Sequence, residues 1–447
     1  MSTVFDQVIK NIKKFTNITD AFSYCIELYE EKTKLLTESA DCENRTVNYP
    51  YIGIISKNDQ KSCYYGNTIT HPVMLKRYYT DQINKIIKNG EFEFLVGESY
   101  YPMSLAFVCE DLFNIVNKEK SIIMPCITRI RKGMQEIEYG KNIKRIGFFH
   151  AEHIDYCLNR LHHYCGSHSK HFQNNIIFAN YKMYVDFFVE DGKKWVNEGI
   201  YECLLGPDIE YYGENHENNS DMYSKSKKHS SLPQMPAYHL KKANGDGITI
   251  VNVGVGPSNS KSITDHLAVL APKSWLMLGH CAGLHNAMKL GDYVIAQNYI
   301  RYDYVLDKHV PNKIPIPSCG KIVKKLEDHI EECKINGEKL YKGSLITTAD
   351  RNWELDCEMV HDFIESKAIA IDMESATIAT NAFRFSIPCA TFLCISDMPL
   401  HGKIKLRGMA KNFYQTKVRH HFNIGMFSIQ DLYKEKREKA NKCTKIK

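Results

Sequence analysis

Residues 368–402 read AIAIDMESATIATNAFRFSIPCATFLCISDMPLHG, two short apolar runs, each closed by acids, with a helical stretch between them. Apolar runs of this length bounded by polar residues are expected of interior strands in an α/β sheet. Asp372 and Glu374 follow the first run and Asp397 follows the second. In open α/β folds the ligand lies off the carboxyl ends of the strands, so these acids should face one crevice. Two separated carboxylates suit a reaction in which one protonates a leaving group and the other grips a polyol. The segment marks the chain as an enzyme.

The chain has 447 residues, enough for two or three domains with substantial cores. Hydrophobic residues at 43% and charged residues at 25% describe a globular protein rather than a disordered or membrane one. No apolar run approaches the roughly 20 residues needed to cross a bilayer. The start, MSTVFDQVIKNIKKF, lacks a signal-peptide core and reads as an amphipathic helix. The net charge of +6 is concentrated in residues 434–447, which carry a net +5. That run reads as a solvated basic tail, which leaves the body near neutrality and argues against nucleic acid as a partner. The 15 cysteines form no CxxC pair and read as reduced thiols of a cytoplasmic protein. His150, His153, His162, His163, His168 and His171 cluster, but nothing completes a zinc-ligand set, so they read as a polar face with no metal.

Residues 1–172 have the pattern of an α+β unit, with helices expected at 20–36, where Phe22, Ile26 and Tyr29 share a face, and at 73–87. Strands are expected at 49–55 and 92–96. From residue 173 to 433 apolar strands alternate with helices, the signature of an α/β domain. The strands fall at 176–179, 248–253, 274–279, 293–299, 344–347, 368–371 and 390–395. The polar stretch 213–231 reads as a mobile loop.

Gly254, Gly256 and Ser258 lie between the strand at 248–253 and a helix expected from about Ser262. Glycines in such a turn let backbone N–H groups approach a ligand, although the spacing is not that of a dinucleotide fingerprint. In WLMLGHCAGL, residues 275–284, the strand is expected to end in a turn holding Gly279, His280, Ala282 and Gly283, with room for a flat base or a sugar.

Taken together, these segments resemble the purine nucleoside phosphorylase and nucleosidase superfamily, whose late segment runs strand, Met-Glu, helix, strand, Ser-Asp. Here the pairs are Met373-Glu374 and Ser396-Asp397. The longer phrases GITIVNVGVGPSNSKSITDHLAVL, GDYVIAQNYIRYDYVLD, TTADRNWELD, IAIDMESATIAT and SDMPLHGKIKL are similar to those of the AMP nucleosidases. So are RLHHYCGSHSKHFQ and THPVMLKRYYTDQI in the first half. The resemblance implies a phosphorylase-like catalytic domain with a mixed central sheet flanked by helices, preceded by a regulatory N-terminal α+β domain.

The resemblance also implies roles. Asp397 would donate to purine N7 and should be protonated through burial. Glu374 would hold the ribose hydroxyls as an ionised carboxylate, and Met373 would line the sugar. Gly254, Gly256, Ser258, Gly279, His280, Ser396 and Asn180 would complete the substrate site. Arg351 and Lys405, with Arg301 and Lys182 behind them, are the cations for a 5′-phosphate. Phosphorylases anchor phosphate with a G-D-P-x-x-R loop and an R-x-G-S turn, but here Asn180, Tyr181 and Lys182 follow the first strand. Met277 and His280 stand at the places of the arginine and serine. Two charge-assisted donors, each worth roughly 1.5–3 kcal/mol, are missing, which favours water as the nucleophile. A further departure is Met398, where the resemblance implies lysine. The expected activity is hydrolysis of AMP to adenine and ribose 5-phosphate by a homo-oligomer, as a hexamer, with no chemical cofactor, MgATP as activator and phosphate as inhibitor. The alternatives are a nucleoside phosphorylase or nucleosidase that does not require the 5′-phosphate, and a non-catalytic AMP sensor.

Overall fold

The computed structural model describes residues 4–38, 47–58, 61–88, 90–108, 143–223, 233–333, 337–404 and 417–432. The chain forms two compact units, Met1–Arg160 and Leu161–Lys447. The sequence-based boundary at 172/173 lies just ahead of the first strand of the second unit.

The first unit is α+β. Its strands are β1 (Ile9–Phe15), β2 (Asn48–Asn58), β3 (Lys61–Thr68), β4 (Glu91–Pro102) and β5 (Ile143–Arg145), in the order β1-β4-β2-β3-β5. All pairs are antiparallel except β3 with β5. Helices α1 (Ile18–Glu38), α2 (Lys76–Ile86), α3 (Leu105–Val108) and α4 (Ala151–Cys165) complete it, with the division between the units falling inside α4. α1 packs on β2 and β4 and buries Ala21, Phe22, Cys25 and Leu28, so Ile26 and Tyr29 lie at the rim of that face rather than within it.

Residues 4–15 correct the expected amphipathic helix. They form a short 3-10 turn at Val4–Gln7 followed by β1. A bulge explains the misleading pattern. The β1–β4 register slips between Lys10 and Lys13, where Asn11 takes a left-handed φ of 56°. An inserted residue converts a period of two into a spacing of three, so Ile9, Ile12 and Phe15 imitate a helical face.

The second unit holds a 12-stranded sheet. Its strands are β6 (Asn175–Ala179), β7 (Cys203–Gly206), β8 (Ile209–Tyr211), β9 (Ser220–Asp221), β10 (Ala237–Lys241) and β11 (Ile248–Asn252), then β12 (Ser274–Gly283), β13 (Tyr293–Tyr302), β14 (Ile316–Pro317), β15 (Leu340–Thr348), β16 (Ala370–Asp372) and β17 (Cys389–Asp397). Parallel strands β11, β6 and β12 form the middle, and β10, β7, β8 and β9 extend it as an antiparallel arm. β9 falls inside the stretch expected to be a loop, and residues 224–231 of that stretch lie outside the described residues. The other side closes on itself: β12 pairs with β17, β17 with β13, β13 with β15, β15 with β16, and β16 returns to β12. The sheet is therefore mixed, and its closed ring leaves those five strands without a shared open edge.

Closure corrects the expected turn at 279–283. All ten residues of β12 are buried, and the strand continues to Gly283 because Ala282 and Gly283 find a new partner in β16. The small residues that look like a turn in sequence are instead accommodated inside the ring. A Cβ on Gly283 would lie 3.2 Å from both Ile395 and Met288.

Helices α5 (Lys182–Asn197), α6 (Pro257–Leu267), α7 (Gly320–Glu332), α8 (Cys357–Glu365), α9 (Ser375–Arg384) and α10 (Val418–Asp431) flank the sheet. α5, α7 and α10 share a core with Leu276, Leu278 and Phe392, into which α5 places Tyr184, Val185 and Phe188. Each such side chain contributes about 1.5–3 kcal/mol on burial. α6 packs against α9, which links the glycine turn to the segment after β16. α6 begins at Pro257, earlier than expected, because proline suits the first helical turn, where its missing N–H costs nothing. Among the described residues no helix is long and apolar enough to cross a membrane.

The bulge makes a prediction. A Cβ on Gly97 of β4 would sit 2.5 Å from the Lys10 carbonyl oxygen and 2.6 Å from Ile9 Cγ2. Backbone cannot move aside as a side-chain tip can, so Gly97→Ala should destabilise the first unit by about 1–3 kcal/mol. Denaturant unfolding of the full chain checks this, and an unchanged midpoint would mean that β1 is not held there.

Candidate active site

β16 ends at Asp372, and the chain turns through Met373 into Glu374, the residue that caps the start of α9. Both acids are buried, Asp372 to 5% exposure and Glu374 to 1%. Asp372 is well supplied with donors: Thr347 Oγ1 at 2.5 Å, the Ser375 N–H at 2.9 Å and the Ser375 hydroxyl in a short bond. Thr347 Oγ1 in turn accepts the Ala376 N–H at 2.8 Å, so strand β15 and helix α9 both hold this carboxylate. Sequence reasoning noted Asp372 but gave no role to it, to Thr347 or to Ser375. The only sequence signal was their presence in the phrases TTAD and DMES.

Glu374 accepts from the Gly256 N–H at 2.6 Å through Oε1 and from Asn180 Nδ2 at 3.1 Å through Oε2. Three elements far apart in sequence meet here. The turn after β11 requires its glycines, since Gly254 has φ 69° and Gly256 φ 105°, both strained for other residues. Gly256 N–H is therefore committed to Glu374 and is not a free phosphate donor. Asn180 lies at the end of β6 against Gly279, where a Cβ would approach Asn180 Oδ1 to 2.7 Å.

Burial, and then the neighbouring Asp372 carboxylate, push the Glu374 pKa up. Burial also raises Asp372, against the opposing effect of Ser375 and Thr347. With three donors on Asp372 and two on Glu374, the charge belongs to Asp372 and the proton to Glu374. This corrects the expectation of an ionised Glu374 for the substrate-free site. A protonated Glu374 needs an acceptor, and Asn180 Oδ1 is buried with no hydrogen-bond partner among the described residues. Turning the Asn180 amide over supplies one.

Asp397 ends β17, across the ring from this pair. Ala282 of β12 faces Ile371 of β16 on one edge and Asp397 on the other, so the two acid-bearing strand ends flank one strand end. Asp397 is half-buried rather than buried. Its Oδ1 lies 2.6 Å from Ser396 Oγ, which is also 3.4 Å from the Cys281 carbonyl. Ser396 can donate to an ionised Asp397, or accept from a protonated one while turning its own proton to Cys281. Met373 is half-buried beside these acids in sequence, and Ser258 is exposed in the first turn of α6.

His280 lies on β12 rather than in a turn. It is buried, 4.7 Å from the Tyr181 ring between centroids, with Nε2 3.2 Å from Tyr184 Oη. Tyr184 and its second partner His421 were not anticipated, because neither lies in a segment that carries a motif.

The phosphate cations are less concentrated than expected. Arg351 is exposed just beyond β15, and Lys405 lies outside the described residues. Arg301 is removed from the set: its guanidinium is buried, donating to the Val310 carbonyl at 2.7 Å and to Asp307 at 2.6 Å, with Asp303 at 3.8 Å. Arg301 lies near the carboxyl end of β13, and its side chain ties down the following loop. Lys182 bonds Asp186 and lies over the Tyr223 ring. Met398, at the position of the implied lysine, is fully buried and bridges to Lys403. The histidine cluster spans α4 and the following turn, and among the described residues no group of three or more His, Cys, Asp or Glu could hold a metal ion.

Because its folded-state pKa is raised, Glu374 keeps a proton in the native state that it has lost in the unfolded chain. Wild-type stability should therefore fall as pH rises from the ordinary glutamate value, about 4.3, through the raised one. Glu374→Gln presents an amide where the acid holds its proton, so the loss should be smaller for the variant. Urea midpoints of both proteins from about pH 5 to about pH 8.5 test this. Parallel curves would place the proton elsewhere.

Residues 20–129 match the family model described as bacterial AMP nucleoside phosphorylase N-terminus, and residues 223–424 match that of the phosphorylase superfamily. AMP nucleosidase of Escherichia coli K12 is 37% identical over 399 residues, covering 83% of this chain and 79% of that protein. Guanosine phosphorylase of Halorubrum lacusprofundi is 24% identical over 177 residues, 39% of this chain and 71% of that one. A crystal structure of AMP nucleosidase from Bacteroides thetaiotaomicron, 24% identical, covers 63% of this chain and 98% of its own, with a TM-score of 0.47. With the acids at the ends of β16 and β17 and a relative this similar over most of both lengths, the chain belongs to the AMP nucleosidase family.

Proposed function

We propose that this enzyme hydrolyses the N-glycosidic bond of AMP, giving adenine and ribose 5-phosphate. The observation that carries the reading is the pair of acid-bearing strand ends on either side of Ala282, in a chain 37% identical to an AMP nucleosidase. Cleavage passes through an oxocarbenium-like transition state, with positive charge on the sugar and negative charge on the departing purine. Asp397, paired with Ser396, donates to N7 so that adenine leaves neutral. Glu374 receives the ribose 2′- and 3′-hydroxyls. Their donation and the developing sugar charge favour its ionised form, so its proton leaves as the substrate settles. Met373 covers the apolar side of the sugar, while Gly254, Gly256, Ser258 and Gly279 leave room for the nucleoside. Arg351 and Lys405 take the 5′-phosphate. Water is the nucleophile, because Asn180, Met277 and His280 supply no cationic clamp for a phosphate dianion.

The family likeness supports a cytoplasmic homo-oligomer, a hexamer, in which the N-terminal unit answers MgATP as activator and phosphate as inhibitor. The chemical step itself uses no cofactor.

Asp397→Asn should fold normally and lose roughly 10²–10⁴-fold in turnover, since an amide can meet N7 but cannot deliver a proton. Adenine release by the purified variant measures this, and near-wild-type turnover would remove Asp397 from the mechanism. Incubation with AMP and added phosphate should yield ribose 5-phosphate alone. Ribose 1,5-bisphosphate would identify a phosphorylase, and equal turnover of adenosine would show that the 5′-phosphate is not read.

A further inference from the structure

Asp397 sits where the ladder that should fix it is interrupted. Along β12 and β17 the register is regular from Trp275 opposite Cys389 to Cys281 opposite Ile395. Ala282 then faces Asp397, so Ser396 is an extra residue with no opposite number on β12. A bulge of this kind bends its strand and re-aims the side chains beside it. Here it leaves Ser396 Oγ 2.6 Å from Asp397 Oδ1, although neighbours on a regular strand point to opposite faces. The direction of Asp397 therefore depends on what holds the chain beyond it.

A closed turn holds it. The Met398 N–H donates to the Lys403 carbonyl at 2.8 Å and the Lys403 N–H returns to the Met398 carbonyl at 3.1 Å. The His401 N–H reaches the same Met398 carbonyl at 3.0 Å, and Gly402 completes the turn with a left-handed φ of 71°. Met398 is fully buried, and Leu400 packs against the cluster that contains Ala282 and Ile371. Among the described residues, 398–403 send one side-chain hydrogen bond outside the turn: His401 Nε2 lies 2.9 Å from the carbonyl of Leu284, the residue after β12. A carbonyl only accepts, so Nε2 carries a proton whether the ring is neutral or charged. The Leu284 N–H in turn donates to the Ile369 carbonyl at 3.0 Å, just ahead of β16. Leu284 thus joins the turn after Asp397 to the strand that leads into Glu374.

We propose that His401 is a positioning residue for Asp397: by tying the turn to Leu284 it fixes the direction in which the acid meets N7. The inference rests on the hydrolytic reading, with Asp397 as the acid. His401 exchanges no proton in the step and acts on kcat through the placement of Asp397. A misplacement of about 1 Å at a reacting group can cost on the order of 10²-fold in rate, so one hydrogen bond beyond a bulge matters to turnover.

The reach of the donor separates the variants. His401→Gln keeps an N–H near the former Nε2 position, the amide of His401→Asn stops near the former Nδ1 position, and His401→Leu has no donor. His401→Leu should lose roughly 10–10²-fold in kcat for AMP, with KM unchanged within a few-fold. His401→Asn should resemble it, and His401→Gln should recover at least about fivefold of the loss. Equal kcat for His401→Gln and His401→Leu, or a change in KM alone, overturns the proposal. In an Asp397→Asn background there is no proton to aim, so His401→Leu should change kcat by less than about twofold. The full loss in that background would show that His401 does not act through Asp397. Gly402→Ala strains the same turn and leaves the ring in place, which decides the matter if the variants at 401 do not fold. It should lower kcat in the wild-type background and not in Asp397→Asn, and an equal loss in both overturns the proposal. Adenine release by the unmodified protein, measured alongside, reports on the hydrolytic reading separately. Its absence would end that reading and this inference together, whereas release that does not depend on the donor at 401 would end the inference alone.

Discussion

The second unit depends on β12 being paired along both edges to its very end. Its ten buried residues first lie between β6 and β17, then pass from β6 to β16 without leaving the sheet. That exchange closes the five-strand ring and sets the carboxyl end of β16 opposite that of β17. Every acid of the site is carried by one of those two ends. A strand that stopped at Gly279 would leave Ala370 and Ile371 with β15 as their one remaining ladder partner among the described residues.

Burying two carboxylates two residues apart costs several kcal/mol per uncompensated charge. The fold meets that cost unequally. Asp372 receives three donors from β15 and the first turn of α9, whereas Glu374 receives one backbone N–H and one amide. The inequality separates two acids of similar intrinsic strength, the usual way in which one site obtains both a neutral and an ionised carboxyl group. Asn180 can present either face of its amide, so the neighbour of Glu374 accommodates both states. Ser396 offers Asp397 the same latitude.

The nucleophile follows from what surrounds the sugar face. A phosphate dianion needs cationic donors, and the proposed site offers an amide, a thioether and an imidazole in their place. Arg301, one of the cations offered by the sequence, is occupied by Asp307 and the Val310 carbonyl. Neutral polar groups suffice to orient water.

Much of this was legible in the sequence. The strand–acid–helix–strand–acid order of residues 368–402 requires buried strands and acids at their ends, because apolar runs must be covered and charges must leave the core where the strands stop. Gly254 and Gly256 likewise announce a turn that only glycine tolerates. The helical reading of β1 failed because a bulge produces a spacing of three, and the turn reading of residues 279–283 failed because small residues serve a crowded ring as well as a loop. The antiparallel arm β7–β10 was missed because its short strands have no long apolar run. The sequence by itself determined which residues could be strands, turns and acids, since those properties are local. Only the tertiary structure decided that Gly256 and Asn180 would meet Glu374, that Arg301 would be bound within its own loop, and that Tyr184 and His421 would meet His280. Each of those contacts joins segments that come together only when the sheet closes.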